Sequence, residues 1–306
     1  MYPRADSGGV VVALRRLLFH LFVIYAVVLV LIVLLQRKLI YHPSRTGRLY
    51  AADARLPKGA VHDVAVTTRD GLTLHGWHFL ANGQTAHSAA ECDAHLRAAK
   101  WVVLYFHGNA GDRKKREFDC QPFTKAGADV LHFDYRGYGD NAGSPSERDF
   151  TADARSIWTY AVETRKVPAS RIVIFGESLG GGVATRLAGE TCAAGTPPGG
   201  LILTATFSSL TDAGARHYPW LPVRWLLRDR YPSIEYAPQV TCPVLQIHGR
   251  ADRIVPIELG RRLHAAFPER SHNGVPRTWV EHSGRHNGVP RDVLTSSVRR
   301  FLAPPR

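Results

Sequence analysis

One stretch, RIVIFGESLGGG at residues 171–182, constrains this chain more than any other. Its apolar, β-favouring start reads as a buried strand. Gly176-Glu177-Ser178-Leu179-Gly180 follows, then Gly181, Gly182 and a run suited to a helix. A serine in that setting sits on a sharp strand-to-helix turn with its hydroxyl projecting above the sheet. The flanking glycines leave room where the backbone crowds. The helix that begins there aims free N–H groups at any negative charge that develops beside it. Ser178 is therefore the candidate nucleophile, and the Leu179 N–H a candidate donor to an oxyanion. The stretch lacks the lysine of GxxxxGK[ST], and its glycines do not make GxGxxG, so it is neither a phosphate-binding loop nor a dinucleotide fingerprint.

The surrounding pattern says what sheet this turn belongs to. HDVAVTT and LTLHGWHFLA read as two strands joined at Arg69-Asp70-Gly71. Residues 82–99, polar and small, read as a surface loop. WVVLYFHG from Trp101, ADVLHFDYRG, RIVIFGES, GLILTATF from Gly200, VLQIHG and TWVEH supply further strands. Helical segments are expected at 113–125, 145–162, 179–187, 257–267 and 289–301. Residues 207–238, rich in aromatics, prolines and arginines, break the rhythm and read as a small cap. Trp220, Leu221, Val223, Trp225, Leu226 and Leu227 there suit an apolar acyl pocket, or equally the packing of the cap on the domain. The alternation predicts an α/β protein with a mostly parallel sheet, helices on both faces and an antiparallel start.

A nucleophilic serine needs a base and an orienting acid, expected in the order serine, acid, histidine. Asp252, in HGRADRIVP just past a strand, fits the acid: it would fix the histidine tautomer and stabilise the imidazolium. Asp229 and Asp212 follow no strand, and Glu258 falls in a helix. His286, in WVEHSGRHNG after the last strand, fits the base. His282 ends the strand itself. His272 competes because HNGVPR occurs twice, from His272 and from His286. Only the second copy follows the last strand, which favours His286. His107-Gly108-Asn109-Ala110-Gly111 follows the strand from Trp101, and the Asn109 N–H is assigned as the second oxyanion donor. His107 reads as a residue shaping that loop, and Asp134 and Arg136 as residues holding neighbouring loops. No HExxH or clustered ligand spacing calls for a metal, and no cofactor is expected.

The other constraint lies at the N-terminus. Leu17 to Leu35 is nineteen residues without a charge, bounded by Arg15 and Arg16 before and by Arg37 and Lys38 after. As a helix it would rise about 28 Å, close to the hydrocarbon thickness of a bilayer. The run ends LLQRKLIYHP, without the small-residue site of a cleaved signal peptide. It also lacks the polar face of most core helices. An uncleaved transmembrane anchor at 17–36 is the favoured reading. Basic residues on both sides, with Arg4 and Asp6 counted at the start, mildly favour a cytoplasmic catalytic domain. The net charge of +13, from 39 Lys+Arg against 26 Asp+Glu, is scattered. With no zinc-finger spacing, aromatic-basic stripe or basic arm, it suits an anionic membrane surface and excludes nucleic acid as the expected partner. Cys92, Cys120, Cys192 and Cys242 form no CxxC pair and read as free thiols.

HGNAG, DYRGYG, GESLGG, GRADRIVP and GRHN, in that order, resemble the α/β-hydrolase superfamily. They look particularly like its membrane-anchored branch with an HGNAG loop, grouped with "serine aminopeptidase S33" hydrolase domains. The resemblance runs from Ile40 to Phe301 and takes in the N-terminal apolar segment. It implies an eight-stranded sheet and a covalent acyl-enzyme, with Ser178, Asp252 and His286 as triad and Asn109 and Leu179 as oxyanion donors. The repeated HNGVPR, the polar loop near Cys92 and the insert at 193–199 depart from the family pattern. The expected layout is a tail at 1–16, the anchor, a linker at 37–60 and a hydrolase domain at 61–306. The expected chemistry is hydrolysis of a carboxylic ester or thioester of a small acylated or lipid-like substrate. A silent membrane-bound binding or scaffold protein would be marked by an incomplete triad. An acyltransferase with the same triad would be told apart by its products. Neither acyl chain nor oligomeric state is legible.

Overall fold

A computed structural model describes residues 7–303. Arg4 and Asp6, used above to weigh orientation, lie outside them. The first element is a long helix, α1 (Ser7–Ile40), 34 residues and about 51 Å in length. It extends the apolar run at both ends. Residues 11–25 are exposed, whereas Ala26, Leu29, Ile32, Val33, Gln36 and Ile40 turn inward at helical spacing. The helix carries the one stretch among the described residues long and apolar enough to cross a membrane.

A hairpin of β1 (Val61–Thr67) and β2 (Thr73–Phe79) opens the sheet. Its turn is closed by Gly71 N–H donating to Thr68 O, with Gly71 at φ 83°. Helix α2 (Ala89–Ala98) then occupies the segment expected to be a loop. The sequence carried its signal: Ser88 Oγ accepts from Glu91 N–H at 3.2 Å, and the Glu91 carboxylate accepts from His87 N–H at 2.8 Å. These two bonds open a helix whose inner face buries Cys92 and Leu96.

The remaining strands are β3 (Trp101–Phe106), β4 (Ala128–Phe133), β5 (Ile172–Glu177), β6 (Gly200–Thr204), β7 (Val244–Gly249) and β8 (Thr278–His282). The order is β1-β2-β4-β3-β5-β6-β7-β8, parallel from β4 to β8 and antiparallel at β1, β2 and β4. This is the mostly parallel eight-stranded sheet of the α/β-hydrolase fold. Alternate residues feed separate cores: Val102, Leu104 and Phe106 face one side, Val103 and Tyr105 the other. Such double burial is why these strands read as continuous apolar runs.

The helix expected at 113–125 is only a 3-10 turn (Glu117–Cys120) and one helical turn, α3 (Gln121–Thr124). Arg113 is drawn away by Asp134, which accepts from its amide at 2.7 Å and its guanidinium at 2.6 Å. Helices α4 (Glu147–Thr159), α5 (Leu179–Ala193), α9 (Ile257–Ala266) and α10 (Arg291–Leu302) flank the sheet. Between β6 and β7 lie the short α6 (Leu210–His217), α7 (Val223–Leu226) and α8 (Ser233–Tyr236), in the segment expected to form a cap.

The cap is tied to the end of α1. Tyr25 Oη donates to Trp220 O at 2.9 Å. Gln36 donates to Leu226 O and accepts from Arg228 N–H at 2.7 Å. Asp229, buried, accepts from Arg37 Nε at 3.0 Å and Tyr41 Oη at 3.1 Å. Asp229 thus ties this segment to the end of α1. Cys92, Cys120, Cys192 and Cys242 are all free thiols.

Candidate active site

Ser178 joins β5 to α5 at the carboxyl end of a central strand, beside β3, where the strand order runs outward both ways. Its backbone is held at φ 51°, ψ −115°, a conformation that costs a non-glycine residue about 1–3 kcal/mol. Ser178 N–H donates to Thr204 O at 2.9 Å, and Thr206 Oγ1 donates to Ser178 O at 2.8 Å. The flanking glycines answer to close approach: a Cβ on Gly176 would lie 2.5 Å from Gly180 O, and one on Gly180 2.2 Å from Phe106 O.

His286 reaches the serine from the loop after β8. Its Nε2 lies 2.9 Å from Ser178 Oγ, and its Nδ1 lies 2.8 Å from Asp252 Oδ2. All three residues are buried. Asp252 Oδ1 accepts from the amides of Ile254 and Val255 at 2.9 and 2.8 Å, which fixes the carboxylate plane. Burial alone would raise its pKa, but the side chains of His248 and His286 outweigh that and hold the carboxyl well below the ordinary range. An ionised Asp252 keeps the proton of a neutral His286 on Nδ1 and leaves the Nε2 lone pair facing the hydroxyl. The structure therefore brings together the three residues singled out in the sequence.

The competing histidines lie elsewhere. His272 is held in a turn, with its Nδ1 2.9 Å from Thr241 O. His282 is buried at the end of β8, and its Nδ1 accepts from Gly284 N–H at 3.0 Å. Asp212 accepts the hydroxyl of Ser208 and pairs with Arg262.

The HGNAG loop packs against the nucleophile: a Cβ on Gly108 would stand 3.6 Å from Ser178 Cβ. Asn109 is fixed three ways. Its side chain donates to Ile40 O at 2.9 Å, and its carbonyl accepts from His42 N–H at 3.0 Å and Tyr138 Oη at 2.8 Å. Leu179 opens α5 directly after the serine. Arg116 pairs with Glu177 beside the turn. His107 is fully buried and packs on Tyr135 with ring centroids 4.3 Å apart and planes tilted by 45°. Burial, reinforced by Arg116, pushes its pKa down to about 3, so it stays neutral and shapes the loop. Arg136 bridges Asp153 at 2.8 Å and Asp70 at 2.9 Å, holding the neighbouring loops.

His107, His132 and Asp134 place potential ligand atoms within 4.8 Å of one another. The Arg113 guanidinium already occupies Asp134 there. A cation would meet that charge at contact distance, so the group fits a buried ion pair better than a metal.

Above the serine lies a cleft of about 1240 Å³. Its walls are apolar on the cap side, with Phe207, Leu221, Val223 and Leu226, and polar toward Ser44, Lys115 and Asp119. Sequence reasoning missed a third wall, in which α1 supplies Ile32, Gln36, Leu39 and Ile40. The inward periodicity of 26–40 was the available signal, hidden because an apolar anchor reads alike on every face. It also missed His248, whose Nε2 is 3.4 Å from Asp252 Oδ2.

The family described as "Serine aminopeptidase, S33" matches residues 97–237. An uncharacterized protein of Mycobacterium tuberculosis is 42% identical, over 87% of this chain and 87% of its own. A lysophosphatidylserine lipase ABHD12 from Danio rerio is 32% identical, over 90% of this chain and 78% of its own. Among solved structures, an esterase of Pyrococcus furiosus superposes with a TM-score of 0.58 at 20% identity, covering 86% of this chain and 97% of its own. A puromycin-hydrolyzing peptidase of Mycobacterium tuberculosis gives 0.61 at 18% identity, covering 81% and 40%. The structural likenesses speak for the fold, and the sequence relatives for kinship. On both grounds this chain belongs to the α/β-hydrolase superfamily and is related to the S33-type serine hydrolases.

Proposed function

We propose that the protein is a membrane-anchored serine hydrolase that cleaves a carboxylic ester or thioester of a lipid-like, acylated substrate. The observation that carries this reading is the continuous chain from Ser178 Oγ through His286 to Asp252, at the floor of a cleft with apolar walls.

Ser178 attacks the acyl carbonyl while His286 Nε2 takes its proton. The amides of Leu179 and Asn109 receive the oxyanion, and the start of α5 adds its dipole. His286 returns the proton to the leaving alcohol or thiol, which departs and leaves an acyl-enzyme. Water, deprotonated by His286, then releases the acid. Asp252 stabilises the imidazolium at both stages.

The apolar cleft suits an acyl chain, and relatives named lysophosphatidylserine lipases support a lipid as the substrate class. Residues 17–36 would serve as a single-pass anchor, with 1–16 as a tail and 37–60 as a linker. Residues 61–306 would form the catalytic domain, with 207–238 as its cap. Purified full-length protein, given p-nitrophenyl esters of increasing chain length and a panel of lysophospholipids, tests the reading. Hydrolysis that favours long chains and vanishes in S178A is expected; a folded protein inert toward every ester and thioester would refute it.

A further inference from the structure

Resting on the anchored-hydrolase reading, the position of the cap along α1 carries a consequence for how substrate arrives. The apolar run of α1 ends at Leu35, and Arg37 and Lys38 mark the headgroup level. Yet the cap touches the helix inside the apolar run, at Tyr25 through the bond to Trp220 O, and again at Gln36, one residue before the Arg37–Asp229 pair. Those two contacts are eleven residues apart, about 16 Å along the axis. A cap held there lies beside the half of the span nearest the catalytic domain, about half the thickness of the hydrocarbon.

The composition of the cap matches that depth. Residues 218–227, YPWLPVRWLL, hold one charge, Arg224. That side chain is long enough to reach the interface, and it lies 3.5 Å from Asp212. Trp225 is 85% exposed and Trp220 57%, large apolar surfaces that water disfavours and a lipid interface accepts. The charges resume at Arg228, Asp229 and Arg230, and Asp229 pairs with Arg37 itself. Two segments far apart in the chain thus change from apolar to charged at one level. Both segments line the cleft, Ile32 and Leu39 from α1 and Leu221 and Leu226 from the cap, together with Ser178.

We infer that the cap is inserted in the same leaflet as the adjoining half of α1, and that the cleft opens sideways into that leaflet. A membrane-dissolved amphiphile then slides between helix and cap, acyl chain first, and reaches Ser178 without crossing water. Its polar head stays at the level of His42, Ser44 and Lys115.

The test uses the full chain reconstituted in phosphatidylcholine vesicles. With bromine on the lipid acyl chains, tryptophan fluorescence should be quenched, and the W220F/W225F variant should lose at least half of that quenching. Equal quenching in both, or none in the wild type, would overturn the insertion. This arm does not depend on catalysis and gives the same answer in S178A. In the second arm, a long-chain ester that transfers slowly between vesicles shares the membrane with the enzyme. Hydrolysis at least tenfold faster than its measured intervesicle transfer is expected; hydrolysis no faster than transfer would overturn lateral entry. A short soluble ester, assayed on the same preparation, reports the catalytic reading separately, so that a dead enzyme is not mistaken for a closed route.

Discussion

His286 Nε2 stands 2.9 Å from Ser178 Oγ although 108 residues separate the two in sequence. The contact exists because β5 and β8, both parallel in one sheet, deliver their following loops to the same end. It selects between two identical hexapeptides, since His272 of the first copy is held against Thr241.

The oxyanion assignment rests on backbone amides, so side-chain loss and amide loss should differ. N109A keeps the N–H and gives up the bond to Ile40 O; kcat should fall less than about tenfold. N109P removes the donor and should cost roughly 10²–10³ in kcat. Steady-state kinetics on a soluble ester, with circular dichroism to confirm folding, separates the two.

The nucleophile turn depends on glycine at Gly180, where a Cβ would meet Phe106 O at 2.2 Å and His107 O at 2.5 Å. Both are backbone atoms with little freedom to retreat. G180A should destabilise the domain by about 3 kcal/mol. A lower thermal midpoint in detergent, accompanied by lost activity, is the expected outcome.

Asp229 fastens the cap to the end of α1 through Arg37 and Tyr41. D229A should cost about 1 kcal/mol through the lost Tyr41 bond, because the Tyr41 hydroxyl keeps its second partner, the Tyr231 hydroxyl at 3.0 Å; Arg37 is half exposed and water takes over its charge. Thermal unfolding should show the loss, and KM for long-chain esters should rise more than KM for short ones.

Asp252 gives a pH signature. Its carboxyl titrates below the ordinary range in the folded protein because the pull of His248 and His286 exceeds the effect of burial. On acidification the unfolded chain takes up this proton before the folded one does. The stabilisation is therefore complete above the ordinary aspartate value, about 4, and fades as pH falls below it toward the folded value. The difference in urea midpoint between wild type and D252N should be largest near neutrality and shrink in acid; a constant difference would contradict it.

The sheet, the serine turn and the order serine–acid–histidine were legible because each is written locally. An apolar run makes a doubly buried strand, and Gly176 and Gly180 mark a crowded turn. Helix α2 was missed: its start carried a signal in the Ser88 cap on Glu91, but its small and polar residues masked it. The turn after Arg113 was not legible, because its partner Asp134 stands 21 residues on, just past the end of β4. Least legible was the wall that α1 gives the cleft: an all-apolar helix announces its solvent but not the one face that packs against protein.

The central claim is that Ser178, activated by His286, is the nucleophile. Labelling of full-length protein by a fluorophosphonate probe tests it most directly, alongside S178A, H286A and H272A. Labelling should be strong in the wild type and in H272A, absent in S178A, and reduced at least about 10³-fold in rate in H286A. Labelling that survives in S178A, or that is lost in H272A but kept in H286A, would contradict the account.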